Sequence, residues 1–107
     1  MAITETQTEH QVRNVAVGRH IDTGTVAARK FTTGFKPRYV KIVNVTDRIQ
    51  EEWLEGMDAA SGLLQIANGT KTLITSNGIT VANDGFTLGL DTTIYITNKQ
   101  YSWVAMG

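Results

Sequence analysis

The sequence predicts an all-β protein, a small antiparallel sandwich or jelly roll, and two features favour this class. Thirty-four of its 107 residues are Val, Ile or Thr, whose branched Cβ atoms suit a pleated sheet better than a helix. Three Asn-Gly or Asp-Gly pairs fall within eighteen residues, at 68–69, 77–78 and 84–85. Such pairs are typical of tight β-hairpin turns. We therefore expect a meander of short strands in the second half of the chain.

The first ten residues are expected to form a flexible arm that precedes a single β-sandwich domain over residues 11–107. After Met1, the arm has Ile3 as its one large apolar side chain. This is too little apolar surface to offset the conformational entropy that ordering the arm would cost.

Three strands are predicted in the first half of the domain, at residues 11–18, 25–31 and 39–45. The only proline, Pro37, precedes the third strand, which suits a residue that cannot donate to a sheet ladder. The third strand has apolar side chains on both faces: Val40 and Ile42 on one, and Tyr39, Val43 and Val45 on the other. We therefore expect it to be central or to be covered on its outer side.

Residues 48–57 fit two structures. Ile49, Trp53 and Leu54 fall near one face of a helix, but the same residues also fit a strand that ends at Gly56. We favour the strand, since the long strand before it needs a close partner.

The rest of the chain predicts a run of short strands. Those of the meander are residues 63–66, 70–75, 79–81 and 86–88. Residues 92–97 alternate, with Ile94 and Ile96 facing inward, and a turn at 98–99 leads to a last strand at 100–105. The total of eight to ten strands is typical of a small sandwich.

Composition disfavours several partners. Ten basic residues balance ten acidic ones, so the basic excess of most nucleic-acid-binding proteins is missing. A local basic stretch is interpreted as solvated strand-edge charge: Arg29, Lys30, Lys36, Arg38 and Lys41. No apolar run approaches the ~20 residues that span a bilayer. Neither nucleic acid nor membrane is an expected partner.

Residues for chemistry are sparse. Without cysteine, disulfides, thiolate nucleophiles and Cys-based zinc sites are excluded. The two histidines are His10 and His20, and only His20, near Asp22, weakly resembles an oriented general base. An acidic group is interpreted as a solvated charged face: Asp47, Glu51, Glu52, Glu55 and Asp58. We predict no catalytic residue, metal ligand or cofactor, and no enzymatic activity.

Five segments carry a resemblance to a known group of proteins. They are 34–38 (GFKPR), 44–46 (NVT), 53–57 (WLEGM), 75–79 (TSNGI) and 84–89 (DGFTLG). Their pattern, over roughly residues 31–107, resembles short tailed-phage virion proteins, in which a GFxPRxVxxxN strand precedes a WxxGM element and a later GFxxG turn. The resemblance implies a capsid decoration (cement) protein, made in the bacterial cytoplasm. Such a protein forms a homotrimer on the capsid exterior and bridges subunits of the major capsid protein.

In that role, the arm is expected to contact the capsid and the sheet to contact other copies. The candidate capsid contacts are Ile3, Glu5, Glu9, His10 and Arg13. The candidate subunit-interface residues are Tyr39, Val43, Trp53 and Trp103. The alternative is a tail-fibre or receptor-binding module in which Trp53 and Tyr101 stack on sugar rings.

Overall fold

A computed structural model describes residues 14–107, which form eight β-strands and, within that range, no helix. The strands are β1 (Val15–Ile21), β2 (Arg29–Thr32), β3 (Tyr39–Asn44), β4 (Ile49–Leu54), β5 (Ser61–Gln65), β6 (Lys71–Ala82), β7 (Gly85–Leu88) and β8 (Gln100–Met106). The predicted all-β class is confirmed. The region 48–57 contains β4, which confirms the strand over the helix.

All eight strands belong to one antiparallel sheet, in the order β1-β8-β3-β4-β5-β6-β7-β2. The third predicted strand is central, because β3 pairs with β8 on one side and with β4 on the other. The edge strands are β1 and β2, which are consecutive in the chain but lie at opposite ends of the sheet.

A bulge in β6 bends this sheet into a half-barrel. Ser61 of β5 pairs with Ile79, whereas the next residue, Gly62, pairs with Ile74. Residues 75–78 therefore have no partner in β5, and such bulges bend a strand sharply. Before the bulge β6 pairs with β5, and after it with β7. The bend turns β7 and β2 over the inner side of the remaining strands.

The core lies between these two parts of the sheet. Phe86 of β7 and Phe31 of β2 stack on each other at 5.0 Å between ring centroids, and they lie 5.3 and 5.7 Å from the Trp103 ring of β8. The other buried apolar residues are Val40, Ile42, Trp53, Leu64, Ile79, Leu88, Ile94, Tyr95, Tyr101 and Ala105. Burying each large apolar side chain contributes about 1.5–3 kcal/mol, so this cluster holds the half-barrel together.

The predicted strand at 92–97 is wrong, because residues 92–94 form a turn. The side chain of Asp91 accepts a hydrogen bond from the amide of Thr93 at 2.8 Å, an arrangement that favours a turn. The carbonyl of Ile94 accepts hydrogen bonds from Asn44 Nδ2 at 3.0 Å and from the Tyr101 hydroxyl at 2.9 Å. Side chains therefore satisfy hydrogen-bonding groups of this backbone segment, which the alternating sequence pattern had predicted to pair with a neighbouring strand.

The three glycine pairs have three different structures. Asn68-Gly69 lies in a tight turn, in which Gly69 has φ +93°. At 84–85 a hairpin is present, but its two turn residues are Asn83 and Asp84, and Gly85 is the first residue of β7. The predicted turn at 77–78 is wrong, because this pair lies in the bulge of β6.

Candidate functional site

The side of the sheet turned away from the core is a broad surface across β1, β8, β3, β4, β5 and the first part of β6. Directly opposed residues of an antiparallel pair share a face, and one row crosses all six strands: Val17, Val104, Lys41, Glu52, Leu63 and Leu73. A row on one side of it contains Val15, Met106, Tyr39 and Leu54. The row on the other side contains Arg19, Ser102, Val43, Gln50, Gln65 and Lys71. We call these three rows the outer face.

The outer face exposes large apolar side chains. Val17 is 74% exposed, Leu73 61%, Val15 58% and Leu54 48%. Single exposed apolar residues are ordinary, but contiguous apolar patches mark interaction sites. The outer face is therefore the best candidate for a functional surface in the described chain.

A groove of about 540 Å³ runs along β8 within the outer face. Ser102 and Val104 of β8 line it between the longer Arg19 on β1 and Lys41 on β3, with Val43 beside them. Short side chains on the middle strand and long ones on its neighbours explain the depression. The groove can receive apolar side chains of a partner.

The charges in the middle of the outer face are specifically arranged. Lys41 of β3 lies directly opposite Glu52 of β4 in the ladder. Glu52 Oε2 accepts a hydrogen bond of 2.7 Å from the Tyr39 hydroxyl, and burial, together with this carboxylate, raises the pKa of Tyr39 to about 12. Lys41 is absent from the ion pairs within residues 14–107. The centre thus presents one cation beside one anion.

Of the four predicted interface residues, Tyr39 and Val43 lie on the outer face. Trp53 is a core residue: it is 5% exposed and its indole N–H donates to the Asp58 carbonyl at 3.1 Å. It therefore offers almost no surface to another subunit. Trp103 is half-buried, with its ring against Phe31 and Phe86.

Burial also argues against the alternative in which Trp53 and Tyr101 stack on sugar rings, because these side chains are only 5% and 1% exposed. The predicted capsid contacts lie outside residues 14–107, and their role stays a prediction: Ile3, Glu5, Glu9, His10 and Arg13.

His20 and Asp22 lie side by side in a cluster that connects separate elements. His20 Nε2 lies 3.2 Å from Asp22 Oδ2, and an Arg29 guanidinium nitrogen lies 3.6 Å from Oδ1. The buried Tyr95 donates its hydroxyl to Oδ2, while the Asn98 amide donates to the Asp22 carbonyl at 2.7 Å. Asp22 thus joins the end of β1 to the start of β2 and to the segment before β8.

The hydrogen bond from Tyr95 lowers the pKa of Asp22 most, and His20 and Arg29 lower it further. Together they hold this pKa below its ordinary value despite partial desolvation. We expect Asp22→Asn to lower the free energy of unfolding by about 1 kcal/mol at pH 7, because hydrogen bonds to a charged acceptor are the stronger ones. A depressed carboxyl pKa stabilises the fold above the unfolded value and stops doing so as pH falls through the folded value. Urea unfolding at pH 7 and at pH 2.5 should show the difference shrinking in acid. The control is Asp84→Asn, which removes an exposed pair with Lys30 and should change little.

The acidic group of residues 47–58 is not one solvated face. Glu55 pairs with Arg38 at 2.8 Å and Asp47 with Lys99 at 3.3 Å, but Glu51 is fully buried and neither of its carboxylate oxygens has a hydrogen-bond partner among residues 14–107. Burial, with a smaller effect from Asp91, raises its pKa to about 8. Once residues 49–54 are assigned to a strand, the period of two predicts this position, because Glu51 shares the inward face with Trp53.

Comparisons with protein-family models, curated proteins and solved structures found no match. Within residues 14–107, no helix has the length and apolar character needed to cross a membrane.

Proposed function

We propose that the chain is a non-enzymatic structural protein of a tailed-phage virion, a capsid decoration protein that binds the outside of the head and bridges neighbouring capsid subunits. The observation that carries the proposal is the apolar outer face. It offers side chains for contact with protein, and it offers them on six strands that are already paired. Binding to such a surface costs little ordering entropy, which suits a protein that reinforces a shell.

The two contacts of a decoration protein are assigned to different parts of the chain. The outer face serves self-association, and the resemblance assigns capsid contact to residues 1–13. A homotrimer is the assembly that the resemblance implies.

Copy number in purified particles tests the function. A decoration protein is expected at hundreds of copies per particle, because it occupies positions that repeat over the capsid. Quantitative mass spectrometry, with the major capsid protein as internal standard, measures the ratio. A few copies per particle would instead support the tail-fibre alternative, and absence from the particle would refute both virion roles.

A further inference from the structure

We propose that the outer face binds the outer face of a second copy, face to face, around a two-fold axis that runs parallel to the strands between β3 and β4. This pairing rests on the proposed function in that it names the partner of the outer face. Its test needs only the isolated protein, so it can fail while the copy number in the particle still supports the virion role.

The charges of Lys41 and Glu52, at the centre of the outer face, favour this axis over the alternative. A two-fold axis between β3 and β4 exchanges the two strands, so Lys41 of each copy faces Glu52 of the other. An axis perpendicular to the strands would place each β3 against itself and Lys41 against Lys41. Like charges in direct contact cost several kcal/mol at an interface, whereas opposite charges fix its register. The central pair of charges is therefore complementary to itself in this orientation.

In the same orientation, the apolar residues on either side of Lys41 and Glu52 in the central row face apolar residues of the second copy. The axis exchanges β8 with β5 and β1 with β6. Val104 then faces Leu63 of the second copy, and Val17 faces Leu73. Packed sheets cross at about 30°, so alignment is best near the axis, where Val104 and Leu63 lie.

The available area suits a stable pair. Six strands at about 4.8 Å spacing, each with four to seven residues at about 3.3 Å, give a projected area of roughly 500–600 Å². The accessible surface of a face covered with side chains exceeds its projection. It thus approaches the ~800 Å² per partner of ordinary stable complexes. Such an isologous interface closes at two copies, which differs from the trimer that the resemblance implies.

Charge reversal with complementation tests the pairing. Alone, Lys41→Glu presents only carboxylates and Glu52→Lys only ammonium groups at the centre, so we expect each variant to self-associate about a hundredfold more weakly than wild type. An equal mixture should restore the dimer, because every central contact between the two copies is then between opposite charges. Sedimentation velocity measures all four samples, including wild type. Lys71→Glu is the control for charge reversal itself: the axis places Lys71 opposite Arg19 of the second copy, so this variant should not weaken the dimer.

Cross-linking adds a measurement that does not depend on charge. The chain has no cysteine, so Leu63→Cys and Val104→Cys each supply a single thiol. A short bis-maleimide should join an equal mixture of the two variants into a dimer and should leave each variant alone largely uncross-linked.

A monomeric or trimeric wild type would overturn the proposal. So would a mixture that fails to recover although both variants are folded by circular dichroism. Loss of capsid binding by Lys41→Glu, together with a monomeric wild type, would assign the outer face to the capsid protein instead.

Discussion

Replacing Glu51 by Gln is expected to raise the free energy of unfolding by about 3 kcal/mol at pH 7, although most core substitutions destabilise. The reason is that Glu51 is fully buried and that, within the part of the chain that the structure describes, neither carboxylate oxygen is hydrogen-bonded. No described residue compensates a charged carboxylate in this position, so ionisation is costly there. Glutamine keeps the shape of the side chain and cannot ionise.

The surroundings of Glu51 explain the size of the effect. Its ladder neighbours are Ile42 on β3 and Leu64 on β5. Gly62 lies so close that a Cβ there would be 2.8 Å from Glu51 Cγ. The charged group that acts on it is Asp91, another carboxylate, and repulsion adds to burial in raising the pKa of Glu51 to about 8 from 4.5.

This raised pKa fixes the direction of the pH dependence. The folded protein holds the proton between about pH 4.5 and 8, whereas the unfolded chain has released it, so stability falls as pH rises through this window. The total loss is about 5 kcal/mol from this group, at 1.36 kcal/mol per pKa unit, and it is complete above pH 8. The Gln variant lacks this slope, so the two proteins should be nearly equal in stability below pH 4.5.

Urea unfolding of wild type and Glu51→Gln at pH 4, 5.5, 7 and 8.5 measures both the gain and its pH dependence. Glu55→Gln is the matched control, because Glu55 is exposed and paired with Arg38, and it should leave the slope in place. A gain that is constant over the whole range, or a loss at pH 7, would contradict the assignment.

Glu51 also shows what the sequence could and could not predict. The all-β class followed from β-branched content, and the period of two in residues 49–54 places Glu51 beside Trp53 on the inward face. The composition of this charged segment nevertheless indicates that its carboxylates lie on a solvated face. The energetics of one buried side chain depend on β3 and β5, and only the folded ladder brings Ile42 and Leu64 to its sides.

The outer face was also predictable from the sequence only in part. Alternation in residues 39–45 indicated apolar groups on both sides of a central strand, and Tyr39 and Val43 lie on the outer side. The row that joins Val17 to Leu73 depends on the pairing of six strands. These pairings bring together residues far apart in the chain, which local patterns do not determine.

The glycines differ from their predicted role in a way that can be measured. Asn-Gly pairs indicate turns because glycine adopts positive φ at low cost. That reason holds for Gly69, which has φ +93° and where an added Cβ would meet none of the described residues beyond its chain neighbours within 4 Å. At 77–78 it is Asn77 that has positive φ, at 58°, while Gly78 does not. Gly78 is required for another reason: a Cβ there would lie 2.4 Å from the Ser61 carbonyl oxygen.

We therefore expect Gly78→Ala to lower the free energy of unfolding by about 3 kcal/mol or more, since the obstructing atoms belong to backbone and cannot rotate away. The same contact is where β6 bends, and the Gly78 amide donates to the Ala60 carbonyl at 3.0 Å. Displacing the obstructing backbone would strain the bend in β6 that brings β7 and β2 over the core. Gly69→Ala, which meets only the cost of positive φ, should lose about 1 kcal/mol.

Gly24→Ala completes the series, because Gly24 has no positive φ and, apart from its chain neighbours, no atom of residues 14–107 lies within 4 Å of the added Cβ. It should be neutral or stabilising by up to about 1 kcal/mol, through a less flexible unfolded chain. Urea denaturation of the three variants at one pH gives the ranking. If Gly69→Ala were the most damaging, conformational freedom would be the main role of these glycines. The expected order, with Gly78→Ala most damaging, would show that the corner of the half-barrel depends on close backbone approach.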